Sequence, residues 1–359
     1  MSEKVVLAYT GGLESSLSLH WLRHKKNLRV IAFSANLGMV EEALEEIGEL
    51  GLAVGADRAH VVDLRDRFAR EFLAPAIRAN ARYEFGYYLG LAMGRALIVQ
   101  EMVKIALDDG CRFLAHSGVK TGNDRARFEA AVRELAPDRK VLSPVLEWSF
   151  QSRAEEEEYV RRYGICHRAE DRPRYSFDDN LWGRTVRWGG EDDRWSEPPR
   201  DAFLLTVDPV EAPAEPEEVL VRFKQGIPVA LDGLEMDLAA LIQRLNGVGG
   251  RHGVGRVDMV EHRVEGGKHR QVYESPAAHV LVTAHEALED LLLDKSVLHF
   301  QKALSQKYSD LIYEGRWFHV LREALDGYFQ RVQDSVAGEV RVRLFKGGAS
   351  VVGRREGGA

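Results

Sequence analysis

The feature that most constrains this chain is an alternation. Short β-branched runs and amphipathic stretches follow one another through the first half. They are VVLAY at 5–9, a helical pattern from about Glu14, RVIAFSA at 29–35, a helical pattern from Val40, HVVDL at 60–64, and helical patterns around 66–81 and 91–108. Parallel strands need crossover connections, which such helices supply, so the alternation predicts a parallel sheet flanked by helices. In sheets of that class ligands sit beyond the carboxyl ends of the strands. The first strand ends there in AYTGGLESS, Ala8 to Ser16.

A strand that runs through two glycines into a hydroxyl-rich helix is either a tight turn or an anion cradle, because the backbone N–H groups at a helix start carry partial positive charge. It is not a Walker loop, since no lysine follows Gly12, and it lacks the G-x-G-x-x-G pattern of dinucleotide folds. Thr10, the N–H groups of Gly11 and Gly12, Ser15 and Ser16 can still converge on one anion.

Composition limits what that anion belongs to. With 359 residues, 45% hydrophobic and 29% charged, the chain can bury a full core and is expected to form two domains. The net charge of −7 and the lack of a Lys/Arg stripe speak against a nucleic-acid surface. No apolar run approaches the roughly 20 residues that cross a bilayer, so no membrane partner is expected. Cys111 and Cys166 are the only cysteines and have no C-x-x-C spacing, which fits a reducing compartment and predicts no protein-held metal. Met1 to Lys4 lead straight into the first strand without an apolar signal region, so a cytoplasmic location is expected.

Beyond GNDRARF a helix is expected after Arg125, then VLSPVLEW and the charged helix QSRAEEEEYVRRYG. From His167 to about Glu218 clustered tryptophans and prolines read as an irregular excursion into a second domain, with 208–218 as a solvated connector. The remainder predicts strands at VLVRF and IPVALDG, a helix from Met236 to about Asn246, a glycine-rich turn GVGGRHGVGR and a strand VDMVEHR. Two long helical segments between about 276 and 334 and a hairpin, EVRVRLFKGGASVVG, complete it.

AYTGGLESS resembles the S-G-G-x-D-S signature of the PP-loop ATP pyrophosphatases, and more closely the A-Y-S-G-G-L-D-T-S of the argininosuccinate synthase family. Further blocks stand in that family's order: SANLG at 34–38, YEFGYYLG at 83–90, GNDRARFE at 122–129, YSFDDNLWGR at 175–184, GRHGVGRVDMVEHR at 250–263, VYESPAA at 272–278 and VVGRR at 351–355. The resemblance implies an α/β fold, with an N-terminal parallel-sheet PP-loop domain at 1–166 and a C-terminal α+β synthetase and multimerisation domain at 167–359. It implies ATP and Mg2+ as well. In the family AMP is transferred to the ureido oxygen of citrulline, pyrophosphate leaves, and the amino group of aspartate then attacks the activated carbon. A urea carbonyl is a poor electrophile, and adenylation makes its oxygen a good leaving group. The protein is left to position and to stabilise charge.

The resemblance also implies roles. Ala8, Tyr9, Thr10, Gly11, Gly12, Glu14, Ser15 and Ser16 resemble the phosphate cradle, Ala35 the neighbour of the adenine, and Ser117 and Gly118 the second nucleotide loop. Tyr87, Asn123, Arg127, Ser176, Thr185, Glu261 and Tyr273 fall where the family holds citrulline. Arg127 suits a carboxylate, since guanidinium pairs with it in a fork, and Glu261 suits an ammonium. Each has an ordinary alternative: Arg127 as a surface partner of Asp124, and Tyr87 or Tyr273 as a core side chain with a satisfied hydroxyl. Asn123 and Asp124 are the catalytic candidates, at the nucleophile end of the site.

Departures from the family fall unevenly. Thr10, Glu14 and Thr185 keep the chemistry of the Ser, Asp and Ser they replace. Leu91 and Val119, by contrast, stand where family threonines help to hold aspartate, and Ala92 stands for a pocket serine. Gly86 replaces an arginine, Met39 a glutamine and His269 a serine, and Thr121 stands where the loop lysine is expected, with Lys120 one residue earlier. Losing a donor to a charged substrate costs about 1.5–3 kcal/mol, so aspartate binding is expected to weaken more than tenfold unless other groups compensate. Three readings stay open: a ligase for a citrulline-like ureido acid and a changed amine, an ordinary argininosuccinate synthase with compensated substitutions, and a non-catalytic nucleotide or amino-acid sensor. A homo-oligomer is expected. The family's tetramer leans on an extended C-terminal helix, whereas VVGRREGGA stops short of one.

Overall fold

The computed structural model describes residues 2–38, 44–118, 122–150, 152–168, 175–189 and 193–357. They group into two compact units. The first comprises Met1–Leu64, Gly94–Pro173 and Glu314–Phe318; the second comprises Arg65–Met93, Arg174–Tyr313 and His319–Ala359.

In the first unit β1 (Lys4–Ala8), β2 (Arg29–Asn36), β3 (Arg58–Asp63), β4 (Phe113–Ala115) and β5 (Lys140–Leu142) form one parallel sheet in the order β3-β2-β1-β4-β5. Val5, Val6 and Leu7 are wholly buried, as an apolar run covered on both faces of a parallel sheet must be. One layer is α1 (Leu13–His24), whose Leu19 and Leu22 join Val5, Leu7, Val30 and Ile47 in a single core; Ile47 comes from α2 (Leu44–Val54). Each such side chain contributes about 1.5–3 kcal/mol on burial. The chain builds outward from β1 to β3 on one side and then returns through α5 (Gly90–Asp108) to place β4 and β5 on the other. The strand order therefore reverses at β1, between its neighbours β2 and β4. That is where the crevice of an open α/β sheet lies, and the Thr-Gly-Gly loop follows β1 directly. After β4 come α6 (Asn123–Leu135), the short α7 (Pro144–Glu147) and α8 (Arg153–Tyr163).

The second unit begins with helical turns over 65–78, α3 (Arg65–Arg67), a π-turn (Phe68–Leu73) and α4 (Ala74–Arg78). It holds two antiparallel sheets. One has the order β11-β12-β7-β6, from β6 (Ser176–Asn180), β7 (Gly183–Arg187), β11 (Arg256–His262) and β12 (Lys268–Glu274). The other has the order β10-β9-β8-β13-β14, from β8 (Glu217–Lys224), β9 (Ile227–Leu231), β10 (Leu234–Glu235), β13 (Gly338–Phe345) and β14 (Gly348–Glu356). The helices of this unit are α9 (Leu238–Arg251), α10 (Pro276–Leu292), α11 (Lys295–Tyr313) and α12 (Val320–Gln333). Helix α10 is its core element, with Ala277, Val280, Leu281, Ala284 and Leu288 wholly buried. The same helix buries two polar side chains. His285 bridges Asn80 Oδ1 at 2.7 Å and Gln333 Oε1 at 2.9 Å, and Glu289 accepts from Asn80 Nδ2 and Gln301 Nε2, both at 2.6 Å. A buried network of this kind is stabilising only when its members are partnered, and these contacts fix the neighbouring helices on α10.

The structure corrects three expectations. The supposed irregular excursion contains the β6–β7 hairpin, because YSFDDNLWGR pairs across Asn180 and Gly183 and buries Trp182 to 1% exposure. The glycine run does not turn at Asn246; α9 continues to Arg251. A Cβ on Gly250 would stand 2.1 Å from Leu205 O, and one on Gly249 3.0 Å from Pro276 Cβ, so these glycines are there for close approach and not for a turn. Two long helices prove to be three, because Asp294 Oδ1 accepts from the N–H groups of Ser296 (2.8 Å) and Val297 (3.2 Å) and so starts α11 anew after α10.

Candidate functional site

The phosphate-loop candidates are in the first unit and form a network before any ligand arrives. Gly11 has φ +76, a conformation that L side chains rarely adopt, and it carries the chain off β1 into the start of α1. Thr10 Oγ1 lies 3.1 Å from Ser15 Oγ, which also contacts Thr10 N (3.3 Å) and Gly12 O (3.1 Å). Beneath them Tyr9 and Ser16 share a buried hydrogen bond of 2.9 Å, and burial pushes the Tyr9 phenol above its ordinary range. Ser34 Oγ donates to Tyr9 O at 2.7 Å, which places Ala35, at the carboxyl end of β2, beside the loop's own strand. Ala8 ends β1, and Glu14 lies half-buried in the first turn of α1. The network turns hydroxyls and N–H groups toward a helix N-terminus, an arrangement that suits phosphate.

The second loop follows β4, the neighbour of β1. His116, 5% exposed, accepts from Gly118 N at 3.0 Å through Nδ1; burial holds the imidazole neutral, with its pKa lowered to about 4. Ser117 and Gly118 are thus held by a side chain from the end of β4. Helix α6 then starts at Asn123, one residue beyond Gly122, so that Asn123 and Asp124 stand in its first turn. Asp124 is bracketed by guanidinium groups, with Arg95 Nη2 donating at 3.1 Å and Arg127 Nη1 at 3.5 Å. Arg127 does pair with Asp124, as the ordinary reading allowed, but it is only 5% exposed and is no surface residue.

The second unit gathers four more predicted residues on one sheet face. Tyr273 on β12 is opposite Thr185 on β7, Thr185 is opposite Asp178 on β6, and Ser176 is two residues along from Asp178. On the other side of β12, Glu261 of β11 is opposite His269, four residues from Tyr273. Side chains alternate in a strand and directly paired residues share a face, so Glu261, Tyr273, Thr185 and Ser176 all project the same way from four adjacent strands. The Glu261 carboxylate is 1% exposed, and accepts from Tyr273 Oη at 2.7 Å and Tyr313 Oη at 2.8 Å, with His269 Nε2 at 3.4 Å. Thr185 is 3% exposed and its hydroxyl has no partner among the described residues. Tyr87 stacks on Tyr273 with ring centroids 4.3 Å apart, and its hydroxyl accepts from the N–H groups of Leu91 (3.1 Å) and Ala92 (3.3 Å). Tyr313 was not anticipated. It ends α11 in a plain LIYEGRW context, and only the fold brings its hydroxyl to Glu261.

Comparison with known proteins covers both units. Residues 4–166 match the family described as arginosuccinate synthase N-terminal HUP domain, and residues 175–358 the arginosuccinate synthase C-terminal domain. A protein from Symbiobacterium thermophilum named argininosuccinate synthase is 46% identical over 98% of this chain and 88% of its own length. Its namesakes from Dictyoglomus turgidum and Rubrobacter xylanophilus are 43% and 44% identical over 98% of this chain, and 87% and 85% of theirs. The chain belongs to the argininosuccinate synthase family.

Against the argininosuccinate synthase pattern, the departures of this chain have distinct settings. At Gly86, expected from the resemblance to stand for an arginine, a Cβ would stand 2.7 Å from Met259 Sδ, so a side chain there would require the Met259 thioether to move. Leu91 (8% exposed) and Ala92 (1%) are buried hydrocarbon at the start of α5. His269, expected from the resemblance to stand for a serine, reaches the Glu261 carboxylate. Met39, Val119, Lys120 and Thr121 lie outside the described residues. Among the solved structures that resemble the chain, the U34-tRNA thiolase NcsA from Methanococcus maripaludis has a TM-score of 0.32 and 13% identity, covering 48% of this chain and 59% of that one.

Proposed function

We propose that this member of the family is an AMP-forming carbon–nitrogen ligase. It adenylates the ureido oxygen of citrulline, or of a close ureido amino acid, and couples the activated carbon to an amine. The observation that carries the reading is the sheet face: a buried carboxylate held by two tyrosine hydroxyls and, on the same face, a buried threonine hydroxyl with no partner among the described residues. Buried polar groups are costly unless paired, and an unpaired one nine-tenths enclosed is most simply explained by a ligand that completes it. An α-ammonium on Glu261 and polar ligand atoms on Thr185 and Ser176 would do so. Arg127, in the first unit, is proposed as a carboxylate-binding residue. Asn123 and Asp124 would hold the incoming amine, Asp124 through a charge already oriented by Arg95.

ATP would lie with its phosphates on Thr10, Gly11, Gly12, Ser15 and Ser16, and its adenine toward Ala35, Ser117 and Gly118. The donors around the loop are all oxygens, the hydroxyls of Thr10 and Ser15 and the carboxylate of Glu14. They fit a hard cation such as Mg2+ carried on the triphosphate better than a resident protein cage. Among the described residues no group of three His, Cys, Asp or Glu is placed to bind a metal by itself. Also among them, no helix is long and apolar enough to cross a membrane. A cytoplasmic homo-oligomer acting on small molecules is the setting we propose.

Aspartate is the amine that the relatives' name implies. A second reading, with an amine that needs less carboxylate recognition, is favoured by one observation, the buried hydrocarbon of Leu91. Both readings are tested by supplying ATP, Mg2+ and citrulline, following pyrophosphate release, and weighing the product made with aspartate and with a panel of amines. Robust coupling of aspartate alone removes the second reading. Absence of pyrophosphate–ATP exchange with every ureido acid removes the ligase itself and leaves the sensor.

A further inference from the structure

The loop that is to hold the nucleotide has no cation of its own: from Thr10 to Ser16 it offers hydroxyls, backbone N–H groups and one carboxylate. Transfer of AMP forms a bond between the ureido oxygen and the α-phosphorus and breaks the bond from that phosphorus to the β-phosphate oxygen. The bonding pair departs on pyrophosphate, where negative charge accumulates. Positive charge placed on the leaving phosphates is therefore worth most at the moment of cleavage.

The chain supplies such a charge from a distant stretch of sequence. After α8 ends at Gly164 in a left-handed conformation (φ +63), Ile165 is buried against Leu13 and Leu17 of α1, within the same cluster as Val160. This seats the following residues at the mouth of the loop. Arg168 N donates to Gly11 O at 2.8 Å, the only backbone bond from that segment to the loop among the described residues, and His167 Nδ1 meets Arg168 O at 3.0 Å. The side chain follows the backbone: Arg168 Cδ and Cγ lie 3.2 and 3.5 Å from the point where a Cβ of Gly11 would stand. The stem thus crosses the bare face of Gly11, and the guanidinium begins one bond beyond Cδ.

We propose that Arg168 is a phosphate-binding residue of the loop, reading the β- and γ-phosphates of ATP and stabilising pyrophosphate as it leaves. This rests on the nucleotide reading given above. Guanidinium is the suitable group, being permanently charged and able to grip two phosphate oxygens at once. The glycine is part of the device, since a Cβ at position 11 would stand 3.2 Å from Arg168 Cδ and crowd the arginine stem.

The test uses the full chain with Mg2+, ATP and citrulline, comparing Arg168→Ala and Arg168→Lys with the unaltered protein. Both variants keep the backbone N–H that anchors Gly11, so the loop retains its tether. Arg168→Ala should lower kcat/KM for ATP about 10- to 100-fold and weaken inhibition by inorganic pyrophosphate by a similar factor, with KM for citrulline unmoved. Arg168→Lys should recover part of both, as a point charge without the fork. Unchanged ATP kinetics and unchanged pyrophosphate inhibition in Arg168→Ala, beside an active unaltered protein, overturn the role. An unaltered protein that neither binds ATP nor releases pyrophosphate overturns the nucleotide reading, and the role of Arg168 with it.

Discussion

The loop proposed to hold phosphate and the sheet face proposed to hold the ureido acid keep their polar groups in opposite ways. In the loop the hydroxyls satisfy one another, Thr10 with Ser15 and Ser16 with Tyr9, and the shape is set by a glycine at positive φ. On the sheet face the groups are fixed by strand register, Glu261, Tyr273 and Thr185 are buried, and the Thr185 hydroxyl has no partner among the described residues. A site built from backbone tolerates exchange of one hydroxyl or carboxylate for another, which is the kind of change seen at Thr10 and Glu14. A site read by single buried side chains does not, because each carries a full desolvation cost if its partner is lost.

That contrast can be broken by experiment. The largest effect is expected from Glu261→Gln, which keeps the tyrosine hydroxyls in place and removes the charge. KM for the ureido acid should rise about 100-fold while ATP affinity holds, since a hydrogen bond to a charged group is worth up to about 3 kcal/mol. Equal losses for both substrates would mean that Glu261 serves the fold. Gly11→Ala should act in mirror image, raising KM for ATP about tenfold through the roughly 1–2 kcal/mol cost of a left-handed non-glycine residue, with the ureido acid unaffected. Next comes Leu91→Thr, which restores a hydroxyl at the amine end. KM for aspartate should fall about tenfold, and no change would show that Leu91 does not face the amine. Thr185→Val is smaller and opposite in its two readouts. Removing a buried hydroxyl that no described residue pairs should stabilise the unliganded protein by about 1 kcal/mol in thermal melting, yet weaken the ureido acid several-fold. A variant that melts lower and binds normally would place the hydroxyl's partner within the protein.

The least effect on turnover is expected from the pH-dependence of His116. Its pKa is lowered to about 4 by burial, so the folded protein keeps it neutral near pH 7. Between about 6.5, the unfolded value, and 4 the unfolded chain binds the proton more readily. Stability is therefore full above that window and falls as pH drops through it, by up to about 3 kcal/mol from this residue. His116→Asn, which offers Gly118 an acceptor that does not titrate, should flatten this part of the acid-melting curve.

The parallel sheet and its loop were legible in sequence because alternation and a strand-end glycine pair are local signals, and the blocks at 250–263 and 272–278 singled out Glu261 and Tyr273, which the fold brings into contact. The rest depends on distant chain. Tyr313 reaches Glu261 across 52 positions and Arg168 reaches Gly11 from beyond α8, with no spacing to announce either. The β6–β7 hairpin was hidden by the tryptophans and charges around it. The continuation of α9 through glycines ran against local propensity, and tertiary packing decided it.

Those glycines have a consequence for how the chain tolerates change. A Cβ on Gly250 would stand only 2.1 Å from the carbonyl oxygen of Leu205, and one on Gly255 only 2.6 Å from the carbonyl carbon of Ser275, both well inside contact distance. A stretch whose composition suggests slack is thus among the least forgiving in the molecule. Its letters record a distance of closest approach between helix, loop and strand, and a library of substitutions across GVGGRHGVGR should map that distance as a column of silence, most complete at the positions with least room.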